Sequence, residues 1–336
     1  MVHIALDAMG GDHAPREILV GAWQATQEFS VKVTVIGPQD TIRKELAALG
    51  YQENDLLCVY HASEVVDMSE SPVLSFRKKK DSSIRVGLNL LKEKKVDGFI
   101  SAGNTGAVMS TATLVLGKIP NIDRPAIATI IPSKKGPVVM LDMGSTVDSK
   151  PTHIEQFSVM GNCFSKSVLG VATPRVALLN IGEETEKGNQ LVQQSYELLE
   201  KAPIHFVGNV EGKDILAGKA DVVVCDGFVG NSLLKFGEGV AELFFTFFEE
   251  EWNRSIISKL GLILLRPSLR RFKQLYNYEE RGSAPLLGVN GATFISHGKS
   301  KAYAIKNGIK TVKQAIETQM IETLSHDFAT AKFVPS

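Results

Sequence analysis

Two spacings of apolar residues alternate along the chain. Short runs of β-branched and aliphatic residues are almost continuously apolar, which is typical of parallel strands buried on both faces. Longer segments between them carry apolar residues every three or four positions, as amphipathic helices do. The predicted strands are HIALDA (3–8), VKVTVIG (31–37), DGFIS (97–101), AIATIIP (126–132), GPVVMLD (136–142), RVALLN (175–180), IHFVG (204–208) and ADVVVCDG (220–227).

Helices are predicted in the intervening segments. They lie near residues 14–29, 39–50, 82–95, 104–117, 152–167, 188–201 and 230–251. Alternating strands and helices are typical of βαβ units, which cover both faces of a mostly parallel sheet with helices. The sequence therefore predicts a three-layer α/β/α fold. No linker-like stretch divides the chain, so residues 1–336 are predicted to form a single α/β domain.

One segment, residues 252–282, interrupts the alternation and is predicted to be an inserted helical hairpin. Its apolar residues recur at helical spacing and are flanked by arginine and lysine, which favours contact with an anionic membrane surface. Arg266-Pro267 is predicted to break the helix, because the residue before a proline disfavours helical backbone. Packing of the apolar stripes on each other or on a dimer partner is the alternative. The residues predicted to touch the bilayer are Leu260, Ile263, Leu264 and Leu265.

Composition narrows the possible functions. The 37 basic and 37 acidic residues balance, which argues against nucleic-acid binding. No apolar run approaches the roughly 18 residues of a membrane-spanning helix, and the first residues lack a basic leader. The three cysteines are far apart and the histidines lack metal-ligand spacing, so neither a metal nor a disulfide framework is expected. These features predict a cytoplasmic protein that uses no cofactor.

Small polar residues and glycine are concentrated where four predicted strands end. Each of these stretches passes through a glycine turn into a helix, and helix N-termini that a ligand can approach closely bind anions. Taken singly, each is better explained as an ordinary N-capped connection. Together they predict one shared anion-binding crevice at the carboxyl edge of the sheet. The stretches are ISAGNTGAV (100–108), LDMGSTVDSKP (141–151), LNIGEETEKGN (179–189) and CDGFVGNSLLK (225–235).

Two further stretches carry charge. FRKKKDSSI (76–84) holds four consecutive basic residues, which form either a solvated loop or a landing patch for an acidic partner. GGDHAP (10–15) places Asp12 and His13 after the first strand, where Asp12 is expected to cap a helix and His13 either to contact phosphate or to act as an acid. LDAMGGDHAP and LDMGSTVDSKP both place Asp, Gly and Pro after an apolar strand, a likeness too weak to predict an internal repeat.

Familiar nucleotide and hydrolase motifs do not occur in the sequence. HGKS (297–300) is like the end of a P-loop, but Thr293 stands where the first glycine is required. GEG (237–239) lies inside a predicted helix and lacks the third glycine of a dinucleotide fingerprint. No GxSxG elbow and no HExxH pair is found. The sequence therefore favours neither a nucleotide enzyme nor a metalloenzyme.

Six stretches occur in an order that resembles one bacterial family. They are DAMGGDHAP, SAGNTGA, DMG, NIGEE with KGN, DGFVGN, and GVNG with ISHGKS, and the likeness runs from residue 2 to about 320. The family is that of the phosphate acyltransferases of phospholipid synthesis. The resemblance implies transfer of a long acyl chain from acyl carrier protein to inorganic phosphate, with the acyl phosphate passed to a membrane glycerol-3-phosphate acyltransferase. It also implies a homodimer and the architecture of isocitrate and isopropylmalate dehydrogenases and phosphotransacetylase.

The resemblance brings no catalytic residue with it, so the site is assigned from the residues themselves. Lys187 is expected to be a cationic clamp, with a solvent-exposed pair to Glu183 or Glu184 as the alternative. The expected catalytic residues are Asn104, Lys187 and His13. The expected phosphate ligands are Ser101, Gly103, Thr105, Ser145, Asn231 and Ser232. The expected carrier-protein contacts are Arg77, Lys78, Lys79 and Lys80.

Three other functions remain open at this level. The donor could be an acyl-CoA thioester, or the fold could serve a dehydrogenase, which fold analogy alone suggests. The chain could also be a non-catalytic scaffold that recruits carrier protein to the membrane, although a scaffold has no need of donor-rich strand ends. The path of the acyl chain is not predicted either. ELFFTFF (242–248) could line it, but burial in the core or at a dimer interface is favoured.

Overall fold

The computed structural model describes residues 1–276 and 282–331, with the backbone alone described for 271–276. The strands are β1 (His3–Asp7), β2 (Lys32–Gly37), β3 (Leu57–His61), β4 (Gly98–Ser101), β5 (Ala126–Ile127), β6 (Thr129–Ser133), β7 (Gly136–Leu141), β8 (Arg175–Leu179), β9 (His205–Val210), β10 (Val222–Val224), β11 (Ala284–Leu287) and β12 (Ala292–Ile295).

The helices lie between and beyond these strands, as the alternation predicts. They are α1 (Arg16–Glu28), α2 (Gln39–Ala48), α3 (Pro72–Lys78), α4 (Ser83–Lys92), α5 (Thr105–Leu116), α6 (Pro151–Leu169), α7 (Gln190–Leu199), α8 (Gly212–Ala217), α9 (Gly227–Arg254), α10 (Ile256–Tyr276), α11 (Ala302–Glu317) and α12 (Met320–Thr330).

The strands form two sheets. The first has the order β3-β2-β1-β4-β12-β11-β5 and the second the order β6-β7-β10-β8-β9. Pairing is parallel except where β11 meets β12 and β5 and where β6 meets β7. The predicted α/β class with mostly parallel strands is therefore confirmed. Each sheet has a carboxyl edge at which parallel strands end together.

The chain passes from the first sheet to the second within a segment predicted to be one strand. AIATIIP divides at Ala128, with β5 pairing in the first sheet and β6 in the second. A single apolar cluster nevertheless joins the sheets, because Ile4 of β1, Leu141 of β7 and Phe157 of α6 belong to it. The spacing of apolar residues depends on burial. Because both halves of this segment are partly or fully buried, the sequence does not show that the chain changes from one sheet to the other here.

A helical hairpin is present, but it consists of α9 and α10 and turns at Ser255, so the turn predicted at Arg266-Pro267 is wrong. α9 ends at Arg254, Ser255 is extended (φ −157°, ψ 162°), and α10 then runs through Pro267 without a break. Proline removes one helical hydrogen bond, and a carbonyl freed on this exposed helix can be satisfied by water. Residues 277–281 of the predicted 252–282 segment lie outside the described residues, as do the side chains of Phe272 and Leu275.

Candidate active site

A buried carboxylate ends β1 and fixes the loop after β4. Asp7 is almost fully buried, and its Oδ2 accepts a hydrogen bond from the Ser101 hydroxyl at 2.7 Å. The same hydroxyl accepts the backbone N–H of Gly103 at 3.0 Å. Burial raises the pKa of Asp7, an effect that hydrogen bonds from Ser101 and from backbone N–H groups oppose. Ser101 therefore braces the predicted phosphate loop from within and does not reach the surface.

Three loops at the carboxyl edge of the first sheet meet around this brace. A Cβ on Gly10 would lie only 2.5 Å from the nitrogen of Gly103, so the β1 and β4 loops require glycine where they touch. The N–H of Asp12 donates to the carbonyl of Gly298 at 2.8 Å, which joins the loop after β12. The structure thus brings half-buried His13 into the same group of loops as the 101–105 stretch.

Asn104, the predicted catalytic donor, is occupied by the chain itself. Its Oδ1 accepts the N–H of Ala107 at 3.0 Å and caps α5. Its Nδ2 donates to the carbonyls of Met68 and Glu70 at 2.9 and 3.0 Å, which ties the 67–70 segment to the helix. In this arrangement Asn104 positions the loop. Its neighbour Thr105 is exposed at the first position of α5.

The second sheet repeats the arrangement at the end of β7. Buried Asp142 accepts the hydroxyl of Ser145 at 2.7 Å and the backbone N–H groups of Ser145 and Thr146 at 3.1 and 2.7 Å. Burial raises the pKa of Asp142, and these hydrogen bonds oppose the shift. Exposed Asn231 of α9 packs over this loop, since a Cβ on Gly144 would lie 3.4 Å from its side chain.

The other predicted ligand on α9 is less available, because the hydroxyl of Ser232 donates to the carbonyl of Phe228 at 2.7 Å within the helix. Ser145 is engaged in the same way, since its hydroxyl also lies 2.8 Å from the carbonyl oxygen of Pro125. Both residues therefore shape the second-sheet loops in this structure.

His297 brings the two sheets into contact. It follows β12 of the first sheet, and its Nε2 lies 4.0 Å from Glu238 of α9, which follows β10 of the second. Nδ1 accepts the N–H of Lys299 at 3.1 Å, so the neutral ring carries its proton on Nε2. Burial lowers the pKa of His297; Lys235 and Lys299 act in the same direction, and Glu238 and Asp12 oppose them. A neutral imidazole therefore lies beside Glu238 where the two sheets approach each other.

Lys187 lies in a third place, the loop between β8 and α7. Its ammonium is about half exposed and 4.0 Å from the carboxylate of Glu184, the alternative partner predicted from the sequence. Glu183 instead pairs with Lys219. Gly188 lines the same cavity as Val229 of α9, so the loop that carries Lys187 faces the first turn of that helix.

The predicted carrier-protein patch is divided by an internal ion pair. Arg77, Lys78 and Lys80 are exposed at the end of α3 and just beyond it. Lys79 turns inward, where its ammonium pairs with Glu70 and lowers the pKa of that carboxyl. Lys79 therefore anchors the segment, and three basic side chains remain available to a partner.

The hairpin exposes the apolar residues predicted to contact a membrane. Leu260, Ile263, Leu264 and Leu265 are each more than half exposed, with Leu264 at 82%. In the part of the chain that the structure describes, no helix combines the length and apolar character needed to cross a bilayer. Burial of ELFFTFF in the core is contradicted, because Leu243 and Phe247 of α9 are largely exposed.

Three residues that organise the site were not selected from the sequence. Asp7 and Asp142 lie in LDAMGGDHAP and LDMGSTVDSKP, whose likeness is too weak to predict a repeat, yet each aspartate binds a serine and holds a glycine-rich loop. His297 lies in HGKS, which lacks the first glycine of a P-loop. A strand predicted at ATFI would have placed His297 at the carboxyl edge of a sheet. Within residues 1–276 and 282–331, no three His, Cys, Asp or Glu side chains group as metal ligands.

The fold is that of an α/β protein with the phosphotransacetylase architecture. A phosphotransacetylase from Streptococcus pyogenes superposes with a TM-score of 0.64 and 16% identity over 94% of each chain. EutD phosphotransacetylase from Staphylococcus aureus gives a TM-score of 0.62, also at 16% identity and 94% coverage. At such identities the similarity concerns the fold alone.

Sequence comparison specifies the family. Residues 2–323 match the family model described as fatty acid synthesis protein. Phosphate acyltransferase of Heliobacterium modesticaldum is 48% identical over 96% of each chain, and that of Desulforamulus reducens is 47% identical over 99% of each. The chain therefore belongs to the fatty acid synthesis protein family of phosphate acyltransferases, and it is an acyltransferase.

Proposed function

We propose that the protein transfers a long-chain acyl group from acyl carrier protein to inorganic phosphate, and that the acyl phosphate serves phospholipid synthesis. The observation that carries this proposal is the approach of the two sheets at their carboxyl edges, where His297 after β12 lies 4.0 Å from Glu238 of α9. Each sheet also has a strand-end loop held by a buried aspartate, and the crevice that we assign to phosphate lies between these loops. Such a site suits an anion that must be held beside a second reactant.

The reaction needs little chemistry from side chains. A phosphate oxygen attacks the thioester carbonyl, a C–O bond forms, and the C–S bond then breaks with the electron pair leaving on sulfur. Thiols have a pKa of about 8.5, so the thiolate leaves without a strong acid. Positioning the reactants can lower the barrier by roughly 7–11 kcal/mol, and one oxyanion donor by about 3–4 kcal/mol. The enzyme therefore acts mainly by holding phosphate and stabilising the oxyanion.

The exposed groups around the crevice are assigned to these tasks. Thr105 binds phosphate from the first sheet, and Asn231 binds it from the second. Gly103, whose N–H donates to the Ser101 hydroxyl, positions the first-sheet loop. Lys187 supplies a positive charge from the β8–α7 loop. His297 donates from Nε2 to the oxyanion, for which its neutral form suffices. Ser101, Asn104, Ser145 and Ser232 position these loops through the hydrogen bonds described above, and His13 is assigned as a further phosphate contact.

Two surfaces of the protein suit the two larger partners of the proposed reaction, the carrier protein and the membrane. Exposed Arg77, Lys78 and Lys80 are assigned to the acidic carrier protein. The apolar and basic hairpin is assigned to the cytoplasmic face of an anionic membrane, where a membrane glycerol-3-phosphate acyltransferase can take the product. A homodimer would present two hairpins and bind the surface more firmly than one.

The test is acyl phosphate formation from purified components. Palmitoyl-carrier protein and palmitoyl-CoA are supplied separately with inorganic phosphate, and the product is trapped with hydroxylamine and identified by mass. We expect faster turnover of the carrier-protein donor. Preference for the CoA thioester would assign the enzyme to the other donor class, and no acyl phosphate from either donor would favour a non-catalytic scaffold.

A further inference from the structure

An apolar trench lies at the carboxyl edge of the second sheet, beside the crevice. It encloses about 420 Å³, which is within the usual range for small-molecule sites. Its floor is formed by the ends of β8 and β10, and its walls by α7 and the first turns of α9. The side chains of its lining are mainly aliphatic: Ile154, Leu178, Leu179, Leu191, Val192, Val229 and Leu233.

The polar side chains of the trench already bond to the backbone of the chain. Asn180 donates to the carbonyl of Lys187 at 3.1 Å and accepts the N–H of Ile181 at 2.8 Å. Asn189 and Asp226 accept helical N–H groups as N-caps, and the hydroxyl of Ser195 donates to a carbonyl within α7. These hydrogen bonds turn the side chains toward the protein, so the trench suits an aliphatic occupant better than a sugar or a phosphate.

α9 separates the trench from the polar crevice. Val229 and Leu233, one turn apart, line the trench. Asn231 lies between them in sequence, about 200° around the helix from Val229, and packs over Gly144. Lys235 pairs with Glu238 on the crevice side. A molecule with an apolar tail in the trench would therefore have its polar head at the N-terminal end of α9, around which it can reach the phosphate site proposed on the opposite face.

We propose that this trench binds the fatty acyl chain of the donor and selects its length. The inference rests on the proposed function, because it places the thioester at the head of the trench and phosphate in the crevice. Each methylene moved from water into the trench adds about 0.8 kcal/mol, or roughly fourfold in kcat/KM. We therefore expect kcat/KM to rise with chain length until the trench is full.

The test is Val229→Phe, which places a larger side chain in the trench. If the phenyl ring displaces two or three methylenes, kcat/KM for a sixteen-carbon donor falls roughly 15- to 60-fold, whereas that for a four-carbon donor changes less than about twofold. Val207→Phe on β9 is the matched control, because Val207 is 40% exposed against 37% for Val229 and lies outside the trench. An unchanged chain-length profile in Val229→Phe would overturn the proposal.

Gly212→Val gives a second, independent obstruction. The nearest atom to a Cβ at Gly212 is Cδ2 of Leu233 at 3.9 Å, so the side chain enters the trench without a clash. If thermal denaturation shows that Val229→Phe does not fold, the chain-length profile of kcat/KM in Gly212→Val tests the proposal instead. If the wild type makes no acyl phosphate from any donor, the proposed function is wrong and calorimetric titration with dodecanoate decides. Binding lost in Gly212→Val would then support the trench, and binding retained would overturn it.

Discussion

Each sheet holds one buried aspartate at the end of a parallel strand, and each aspartate binds a serine. Asp7 accepts from Ser101 on the neighbouring strand β4, whereas Asp142 accepts from Ser145 three residues later in its own loop. Such hydrogen bonds offset the cost of burying a carboxylate. The consequence is two rigid loops whose backbones can be held close to a small anion.

Replacing Ser101 with alanine tests whether this brace serves phosphate binding. The variant leaves Asp7 with one donor fewer and the N–H of Gly103 without its acceptor, which we expect to lower the free energy of unfolding by about 1–3 kcal/mol. The KM for phosphate should rise as the loop loosens. Urea denaturation and phosphate kinetics measure the two effects.

Ser158→Ala is the matched control for that variant. Ser158 is also fully buried, but its hydroxyl donates to the carbonyl of Glu155 within α6. We expect its KM for phosphate to equal that of the wild type. If Ser101→Ala loses stability while its KM for phosphate stays unchanged, the loop after β4 does not bind phosphate.

Lys187→Ala examines the cationic clamp. Hydrogen bonds to charged groups are worth about 1.5–3 kcal/mol, so losing a direct phosphate contact should raise the KM for phosphate roughly tenfold or more. The KM for acyl-carrier protein should change little. Lys201→Ala, at an exposed lysine after α7, serves as the control. A larger effect on the KM for carrier protein than for phosphate would remove Lys187 from the phosphate site.

The sequence predicts the positions of these loops better than it predicts the orientations of their side chains. The 101–105 and 141–151 stretches do lie at strand ends, as glycine and small polar residues indicated. Composition cannot tell which way a side chain turns, however. Ser101 and Asn104 face inward because they donate hydrogen bonds to the buried carboxylate of Asp7 and to the carbonyls of Met68 and Glu70, and these acceptors come from distant parts of the chain.

The α9–α10 hairpin can be tested as a membrane-binding element. Leu264→Glu with Leu265→Glu should lower binding to anionic vesicles roughly 100-fold or more, because each buried leucine contributes about 1.5–3 kcal/mol. Turnover of soluble acyl-carrier protein should stay near the wild-type value, since both residues are exposed. Co-sedimentation at low and high salt, with kinetics in the absence of lipid, measures both.

The control variant for the hairpin places the same two negative charges at exposed positions outside the hairpin. Leu114→Glu with Leu216→Glu places two carboxylates at exposed leucines of α5 and α8. It should sediment with vesicles as the wild type does. If the hairpin variant unfolds in thermal denaturation, or has a smaller mass than the wild type in light scattering, its leucines are packing residues and the membrane assignment is wrong.

The exposed end of α3 provides a second prediction at the scale of elements. Lys78→Glu with Lys80→Glu should weaken carrier-protein binding about tenfold at low ionic strength and reduce the dependence of KM on salt. Lys79 is left intact because it anchors the segment to Glu70. Lys134→Glu with Lys135→Glu, at two exposed lysines between β6 and β7, is the control. A salt profile identical to the wild type would make 77–80 a solvated loop.

Elements with strong periodicity were predicted within a few residues, and those that depend on context were not. α1, α5 and β7 match their predicted segments closely. β3 was missed because it exposes Tyr60 and His61 and so lacks a continuous apolar run. The turn at Ser255 was missed because Pro267 was the stronger local signal, although an exposed helix tolerates it.

The whole molecule combines two sheets, and α9 borders each of the regions to which a function is assigned. The helix follows a strand of the second sheet, faces His297 of the first, lines the trench with Val229 and Leu233, and continues into the hairpin. Phosphate, acyl chain and membrane surface are therefore assigned to one helix and its surroundings. No pattern in the sequence indicates this arrangement, because it arises from the crossing between sheets at Ala128.

Direct attack by phosphate is the central claim, and a single-turnover experiment tests it. Enzyme is mixed with an equal amount of acyl-carrier protein, with or without inorganic phosphate, and free carrier-protein thiol is followed in time. The proposed mechanism predicts no release without phosphate and, with phosphate, release at the same rate as acyl phosphate formation. A burst of thiol equal to the enzyme concentration in the absence of phosphate would reveal an acyl-enzyme and contradict the mechanism.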